Sequence, residues 1–319
     1  VIGIALAWGT TIIDYRLLRA YTPYIWGLGV FGLLLVLIPG VGSEVNGAKA
    51  WIRLPAGFQI QPAEIAKISI IIGIAMLLSE RTHNNDAPTS QDVLKALGVA
   101  AIPLLLILVQ PDMGTVLIIS ASVVTMLAVS GAPSRWVVGL IILALLGGFV
   151  AVKAGVISDY QVKRLQSFVD PNADSQGAGY QLRQARITVG SGGLIGTGLF
   201  NGPQTNGRFV PEQQTDFIFT VAGEELGFLG SGLIIFLLFL ILMRAFAIAR
   251  RSTDPYGTLV CTGVMAWFAF QIFENIGMTL GLMPMTGVPL PFMSYGGSSM
   301  FANLIGFGLL QNVHASHRS

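Results

Sequence analysis

Long apolar stretches, separated by short polar ones, follow each other along almost the whole chain. Uninterrupted apolar runs fall near 24–38, 62–78, 94–109, 113–130, 136–156, 217–243, 256–280 and 297–311, and residues 1–13 (VIGIALAWGTTII) have the pattern of the second half of another. A helix needs about 20 apolar residues to cross a hydrocarbon layer about 30 Å thick. These runs therefore predict nine transmembrane helices, the shorter ones extending into their flanks. Most polar stretches between them read as ordinary connections, such as the Ser-, Asn-, Asp- and Pro-rich 79–92 (SERTHNNDAPTSQD). The segment 157–216 is different, because a structureless loop longer than about 15 residues is normally functional or disordered. Its YQLRQARITV stretch predicts a short amphipathic helix lying on the membrane surface, with Arg183 and Arg186 turned to phosphates or headgroups.

Composition agrees with the pattern. Of 319 residues, 53% are hydrophobic and 11% charged, against about 25% charged in a soluble domain, so the chain cannot cover itself with a water-compatible surface. This excludes a nucleic-acid reader, a secreted disulfide scaffold and a cytosolic two-domain enzyme. Cys261, the single cysteine, lies in an apolar run and permits no disulfide framework or CxxC site. The net charge of +2 is uninformative, but the positions of the charges are not. Arg16, Arg19, Arg81, Lys95, Arg135, Arg244, Arg250, Arg251 and Arg318 fall on one side of the predicted topology, and only Lys49 and Arg53 in the short loops opposite. The first side is therefore expected to be cytoplasmic, with 157–216 outside. With an odd number of spans Val1 lies outside and mid-helix, so at least one earlier span is expected to precede it. The whole is expected to be a single membrane domain, 1–319, with 157–216 as a large extracellular loop.

Ionisable residues within spans are costly in hydrocarbon unless paired or hydrated. In QPAEIAK, Pro62 fits the first turn of a helix, which puts Glu64 and Lys67 one turn apart on one face as an i,i+3 ion pair just below the outer surface. The pair either neutralises itself so that the helix can insert or lines a polar cavity open to the outside, and both can hold. Asp112 in QPDMGT is expected to cap the helix beginning at Met113. Glu224 and Glu225 are adjacent and point about 100° apart, so at most one need face a cavity. Glu274 and Asn275 could join a polar interior. The six glycines of GSGGLIGTGLFNG have no GK[ST] and no preceding strand, so they predict tight turns and close approach rather than a nucleotide site. Asp216 in FVPEQQTDFIF stands where the outer loop enters the next helix. The residues alone leave it open as an N-cap or a general base, with Glu212 competing. All three histidines, His83, His314 and His317, fall on the cytoplasmic side, so acid–base chemistry outside needs a carboxylate, lysine or tyrosine.

QPAEIAK (61–67), QPDMGT (110–115), GSGGLIGTGLFNGPQ (190–204), PEQQTDFIFTVAGEELG (211–227) and TGVPLPFMSYGGSS (286–299), in this order and spacing, resemble the SEDS family (shape, elongation, division and sporulation) over essentially the whole chain. NGAKAWI (46–52) and MTGVPLPF resemble the rod-elongation RodA type rather than the division FtsW type, in which a Lys is expected where this chain has Gly287. The resemblance implies an all-α polytopic membrane protein, a helical bundle of ten membrane helices of which about nine are visible. It implies a peptidoglycan glycosyltransferase polymerising lipid II at the outer face of the bacterial cytoplasmic membrane, with a class B penicillin-binding protein as partner. It transfers the family's essential loop Asp to Asp216 and its cavity ion pair to Glu64 and Lys67.

The implied reaction joins a sugar 4-hydroxyl to an anomeric carbon as undecaprenyl pyrophosphate leaves. It needs a base, support for the pyrophosphate and a lipid groove. Asp216 is expected to be the base, and Lys67, Arg183, Arg186 and Arg208 are candidate pyrophosphate ligands. Any metal is expected to be an oxygen-ligated, partly substrate-held Mg or Mn ion. A lipid II flippase and a non-catalytic scaffold are the alternatives. A flippase would be expected to show internal repeats, and none is visible. The small-residue stretch GLGVFG (27–32) would permit close helix packing, including with a partner.

Overall fold

The computed structural model describes residues 1–45, 48–53, 59–82, 87–153, 159–170 and 177–316. Asn46 and Gly47 of NGAKAWI, His83, His317, Arg318, and 157–158 and 171–176 of the long loop lie outside the described residues. Each of the nine apolar runs is a helix: α1 (Ile2–Ile12), α2 (Tyr15–Leu37), α3 (Pro62–Thr82), α4 (Ser90–Val109), α5 (Met113–Val129), α6 (Ser134–Lys153), α10 (Ile218–Arg251), α11 (Pro255–Leu280) and α12 (Gly297–Ser316). Of these, α2, α3, α4, α6, α10 and α11 are long and apolar enough to cross a membrane, while α1 and α5 are apolar but shorter. The second run begins nine residues earlier than its apolar core, at Tyr15, because Asp14 caps it by accepting from the Arg16 N–H. Arg16 and Arg19 thus stand in the first turns of a helix rather than in a loop. An element without a hydrophobic signature also appears: β1 (Gly42–Val45), β2 (Ala48–Arg53) and β3 (Gln59–Ile60) form a small antiparallel sheet in the order β1-β2-β3, ahead of α3.

The chain forms two compact units. One comprises 1–148, 243–268 and 297–319. Its centre is α3, which packs against α2, α4, α5 and α12 and whose membrane window is 83% buried, against none of that of α6. α3 presents Ala63, Ala66, Ser69, Gly73 and Ala75, which let neighbours approach, and carries both charges of the ion pair. The small residues of GLGVFG serve this packing: a side chain at Gly29 would start 2.4 Å from the Ser69 Oγ, and one at Gly32 3.2 Å from Pro62. Where the chain breaks between α1 and α2, Asn312 of α12 takes up the loose backbone groups, donating to the Thr10 carbonyl at 2.6 Å and accepting from the Tyr15 N–H at 3.2 Å.

The other unit comprises 149–242 and 269–296. Among its described residues the long outer segment is largely helical: α7 (Asp159–Val169), α8 (Ala178–Ser191) and the single turn α9 (Pro203–Asn206). α8 buries Ala178, Leu182 and Ala185 against Val210, Phe217 and Met285. α10 is broken at Gly227, which has φ 66° and ψ −166°, a combination open essentially to glycine alone. A Cβ there would also lie 2.3 Å from the Gly196 nitrogen.

Gly227→Ala is expected to lower stability, by about 1–3 kcal/mol from the backbone conformation alone. Gly232→Ala, whose Cβ would meet nothing within 4 Å, should be neutral; thermal unfolding of the purified variants checks both.

Candidate functional site

In the second unit the chain builds a rigid seat for Asp216. The turn before α10 closes on the Glu212 carbonyl, which accepts from the N–H groups of Thr215, Asp216 and Phe217 at 3.1–3.2 Å. The segment 285–295 lies alongside and is tied to it. The Tyr295 N–H donates to the Gln214 carbonyl at 2.8 Å, and the Ser294 hydroxyl donates to the Thr215 carbonyl while accepting from the Leu290 N–H. The other tie comes from α11. Asn275 Nδ2 donates to the carbonyls of both Asp216 and Val288, each at 2.7 Å, and Gln271 Nε2 to Pro289 at 2.7 Å. One buried side-chain amine thus joins three stretches of chain, while the Oδ1 of the same amide has no hydrogen-bond partner among the described residues. Glu274, almost completely buried, accepts from the Thr286 hydroxyl at 3.1 Å on one oxygen, and the other has no hydrogen-bond partner among the described residues.

Gly287, with φ 73°, lies beside the carboxylate. A Cβ there would lie 3.2 Å from Asp216 Oδ2 and 3.5 Å from Arg164 Nη1. The missing side chain lets the carboxylate and the Arg164 guanidinium both approach this backbone position. Arg164 stands on α7, and its Nη1 also lies 3.5 Å from the Met285 carbonyl. Sequence reading did not single it out, since it is one of several basic residues on the outer segment and nothing local marks it.

The other outer cations are placed differently. Arg186 Nη2 donates to the Gly281 carbonyl at 2.9 Å, so it fastens α8 to the turn that ends α11. Arg183 is half-buried on α8, and Arg208 is exposed after α9 with φ 52°. Glu212 is exposed, has φ 54°, and accepts from the Thr215 hydroxyl at 3.1 Å. Glu224 has a structural role: its carboxylate accepts from the N–H groups of Gln204 and Thr205 at 2.8 Å each and from the Thr205 hydroxyl at 2.7 Å, holding the end of the glycine-rich loop.

In the first unit, Glu64 and Lys67 form the expected pair, Nζ lying 2.9 Å from both carboxylate oxygens. Both side chains are at most 3% exposed. Lys67 also lies over the Trp267 ring, 4.5 Å from its centre, a contact worth about 2 kcal/mol when desolvated. The space beside it is narrow and mainly aliphatic, bounded by Ile70, Ile71, Ile119 and Ser122. The pair is buried and neutralises itself, as one of the two expected readings has it. Three of the sequence motifs meet near the start of the same helix. Gln61 Nε2 donates to Asp112 Oδ2 at 2.8 Å, the Gln61 N–H donates to the Ser298 hydroxyl, and that hydroxyl donates to the Gln59 carbonyl. Asp112 caps α5 as expected, accepting from the Thr115 N–H and hydroxyl.

Comparison with known proteins accounts for this set of motifs. A family profile described as cell cycle protein, FtsW/RodA/SpoVE, matches residues 1–319. The chain is 38% identical over 314 residues to stage V sporulation protein E of Bacillus subtilis, covering 98% of this chain and 84% of that one. It is 35% identical over 305 residues to the peptidoglycan glycosyltransferase MrdB of Escherichia coli, covering 95% and 80%. Among solved structures it is similar to a chain described under the structural coordination of polymerization and crosslinking by a peptidoglycan synthase complex, with TM-score 0.82, 32% identity, and 99% and 87% of the two chains covered. Family profile, identity and fold agree along the whole length, and the chain belongs to the FtsW/RodA/SpoVE (SEDS) family of membrane-integral cell cycle proteins.

Proposed function

We propose that the protein is a peptidoglycan glycosyltransferase that polymerises lipid II at the outer face of the bacterial cytoplasmic membrane, with Asp216 as its general base. The observation that carries this reading is the seat of Asp216: a residue held through its own backbone carbonyl by Asn275, with its carboxylate and the Arg164 guanidinium both beside Gly287. A fixed carboxylate beside a fixed cation suits a reaction that takes a proton from a sugar hydroxyl and moves negative charge onto a leaving pyrophosphate. Asp216 accepts the acceptor sugar's 4-hydroxyl proton as the oxygen attacks the donor's anomeric carbon. The bond to undecaprenyl pyrophosphate breaks in the same step, inverting an α-linked centre to a β-1,4 bond with no covalent enzyme intermediate. Arg164 is the cation nearest the base, and Arg183 is a further candidate for the pyrophosphate. Arg186 serves architecture first, through Gly281.

Among the described residues no three His, Cys, Asp or Glu side chains gather within reach of one metal ion. A Mg or Mn ion would therefore be one carried largely by the pyrophosphate, and no step of the proposal passes through it. The transpeptidase partner is supported by the similarity to a chain from a peptidoglycan synthase complex. The elongation role rests on NGAKAWI and Gly287, since identities of 38% to an FtsW relative and 35% to MrdB do not separate the subtypes.

Asp216→Asn, assayed with labelled lipid II on the full-length protein with its partner, should lower polymerisation about 10²–10⁴-fold. Near-normal polymer would overturn the base assignment, and lipid translocation without polymer from the unmutated protein would overturn the activity. Asn275→Ala should lower kcat with little change in KM, by up to about 10²-fold for a displaced catalytic group. For the ion pair, Glu64→Gln or Lys67→Met alone should cost about 3–5 kcal/mol of stability by leaving one buried charge uncompensated, and the double variant should recover most of it. A stable double variant with reduced polymerisation assigns the pair a role in the reaction, and full activity makes it a packing device.

A further inference from the structure

We propose that residues 193–200 form a re-entrant loop seated at the hydrocarbon edge of the outer leaflet, with Leu194, Ile195, Leu199 and Phe200 inserted among lipid acyl chains. The break in α10 supplies the first reason. In an unbroken helix the N–H groups of Phe228 and Leu229 would bond to the carbonyls of Glu224 and Glu225. Here the loop takes both partners of each bond. The Phe228 and Leu229 N–H groups donate to the Gly193 and Leu194 carbonyls at 2.9 and 3.1 Å, and the Glu224 and Glu225 carbonyls accept from the Thr197 and Gly198 N–H groups at 3.0 Å each. All four backbone groups freed by the break are re-paired by protein, the condition under which irregular backbone is tolerated at membrane depth.

The side chains supply the second reason. GLIGTGLF carries no charge and four large apolar residues, and all four point outward, Ile195 80% and Phe200 83% exposed. Phe200 does so with φ 64°, a conformation unusual for a bulky side chain. Phe228 and Leu229, whose backbones carry the loop, are exposed as well, so the apolar surface is continuous with that of α10, whose membrane window is only 17% buried.

Depth follows from counting. About 20 helical residues cross the hydrocarbon, so counting outward from Arg250 at the basic end of α10 reaches Gly230, and from Arg244 reaches Glu224. The register from Arg244 puts Phe228 and Leu229 inside the outer boundary and that from Arg250 puts them just beyond Gly230, so the loop they carry lies at the edge of the hydrocarbon. An apolar surface at that depth meets acyl chains, and burying it there is favourable by about 25 cal/mol per Å².

The test places an environment-sensitive fluorophore at Ile195→Cys or Leu199→Cys in a Cys261→Ala background, on the full-length protein in nanodiscs of phosphatidylcholine and phosphatidylglycerol. Labels at Phe239 and Glu80 serve as lipid-facing and aqueous references. Both loop positions should be quenched by brominated lipid as Phe239 is, and protected from iodide relative to Glu80. Iodide quenching like that at Glu80 would place the loop in water, and quenching by neither reagent would mean that protein covers it; each overturns the proposal. The readout involves no turnover, so its failure is separate from any failure of the Asp216 assignment.

Discussion

Hydrocarbon offers no hydrogen bonds, so a polar group carried among the helices is costly unless another part of the chain answers it. The features that distinguish the protein from a plain bundle are solutions to that one constraint. Asn312 answers the gap between α1 and α2. The loop at 193–198 answers the gap in α10. Glu64 and Trp267 answer Lys67. Asn275, with one side-chain amine, answers two carbonyls at once and in doing so fixes the backbone of Asp216.

Pairing of this kind does more than avoid a penalty. Hydrogen bonds that tie one segment at several points also narrow the conformations open to it. The turn at 212–217 therefore has little freedom, being closed on the Glu212 carbonyl and tied to the 285–295 strap by Ser294 and Tyr295. Glycine enters where a side chain would crowd its neighbours: a Cβ at Gly287 would meet both Asp216 and Arg164. Backbone ties at Asn275 and Ser294 hold the segment that carries the carboxylate.

The ion pair illustrates a different balance. Two charges taken out of water cost more than a simple Coulomb attraction returns unless geometry and neighbours are good. Contact with both carboxylate oxygens and the face of Trp267 provides that geometry. The pair's surroundings are narrow and aliphatic, so the spacing of Glu64 and Lys67 foretold the bond between them but not the character of the space around it.

What could be read along the chain was what repeats or acts over short distances. Apolar runs marked nine of the helices, the i,i+3 spacing marked the ion pair, and Asp112 just before Met113 marked a cap. The small sheet of β1, β2 and β3 escaped, although Asn46-Gly47 between the first two strands is a hairpin dipeptide, as did Arg164, indistinguishable by sequence from its basic neighbours. Asp216 was visible as a candidate but not as a held group. The amide that holds it lies 59 residues away, the strap tie from Ser294 to Thr215 spans 79 residues, and Arg164 is on another helix. Sequence alone thus determined the family, the membrane-spanning elements and the local pairings, because hydrophobic periodicity and one-turn spacings are written along the chain. The setting of the carboxylate and the repair of the broken helix were decided by tertiary structure, because hydrogen-bond partners far apart in sequence are chosen only when the helices have packed.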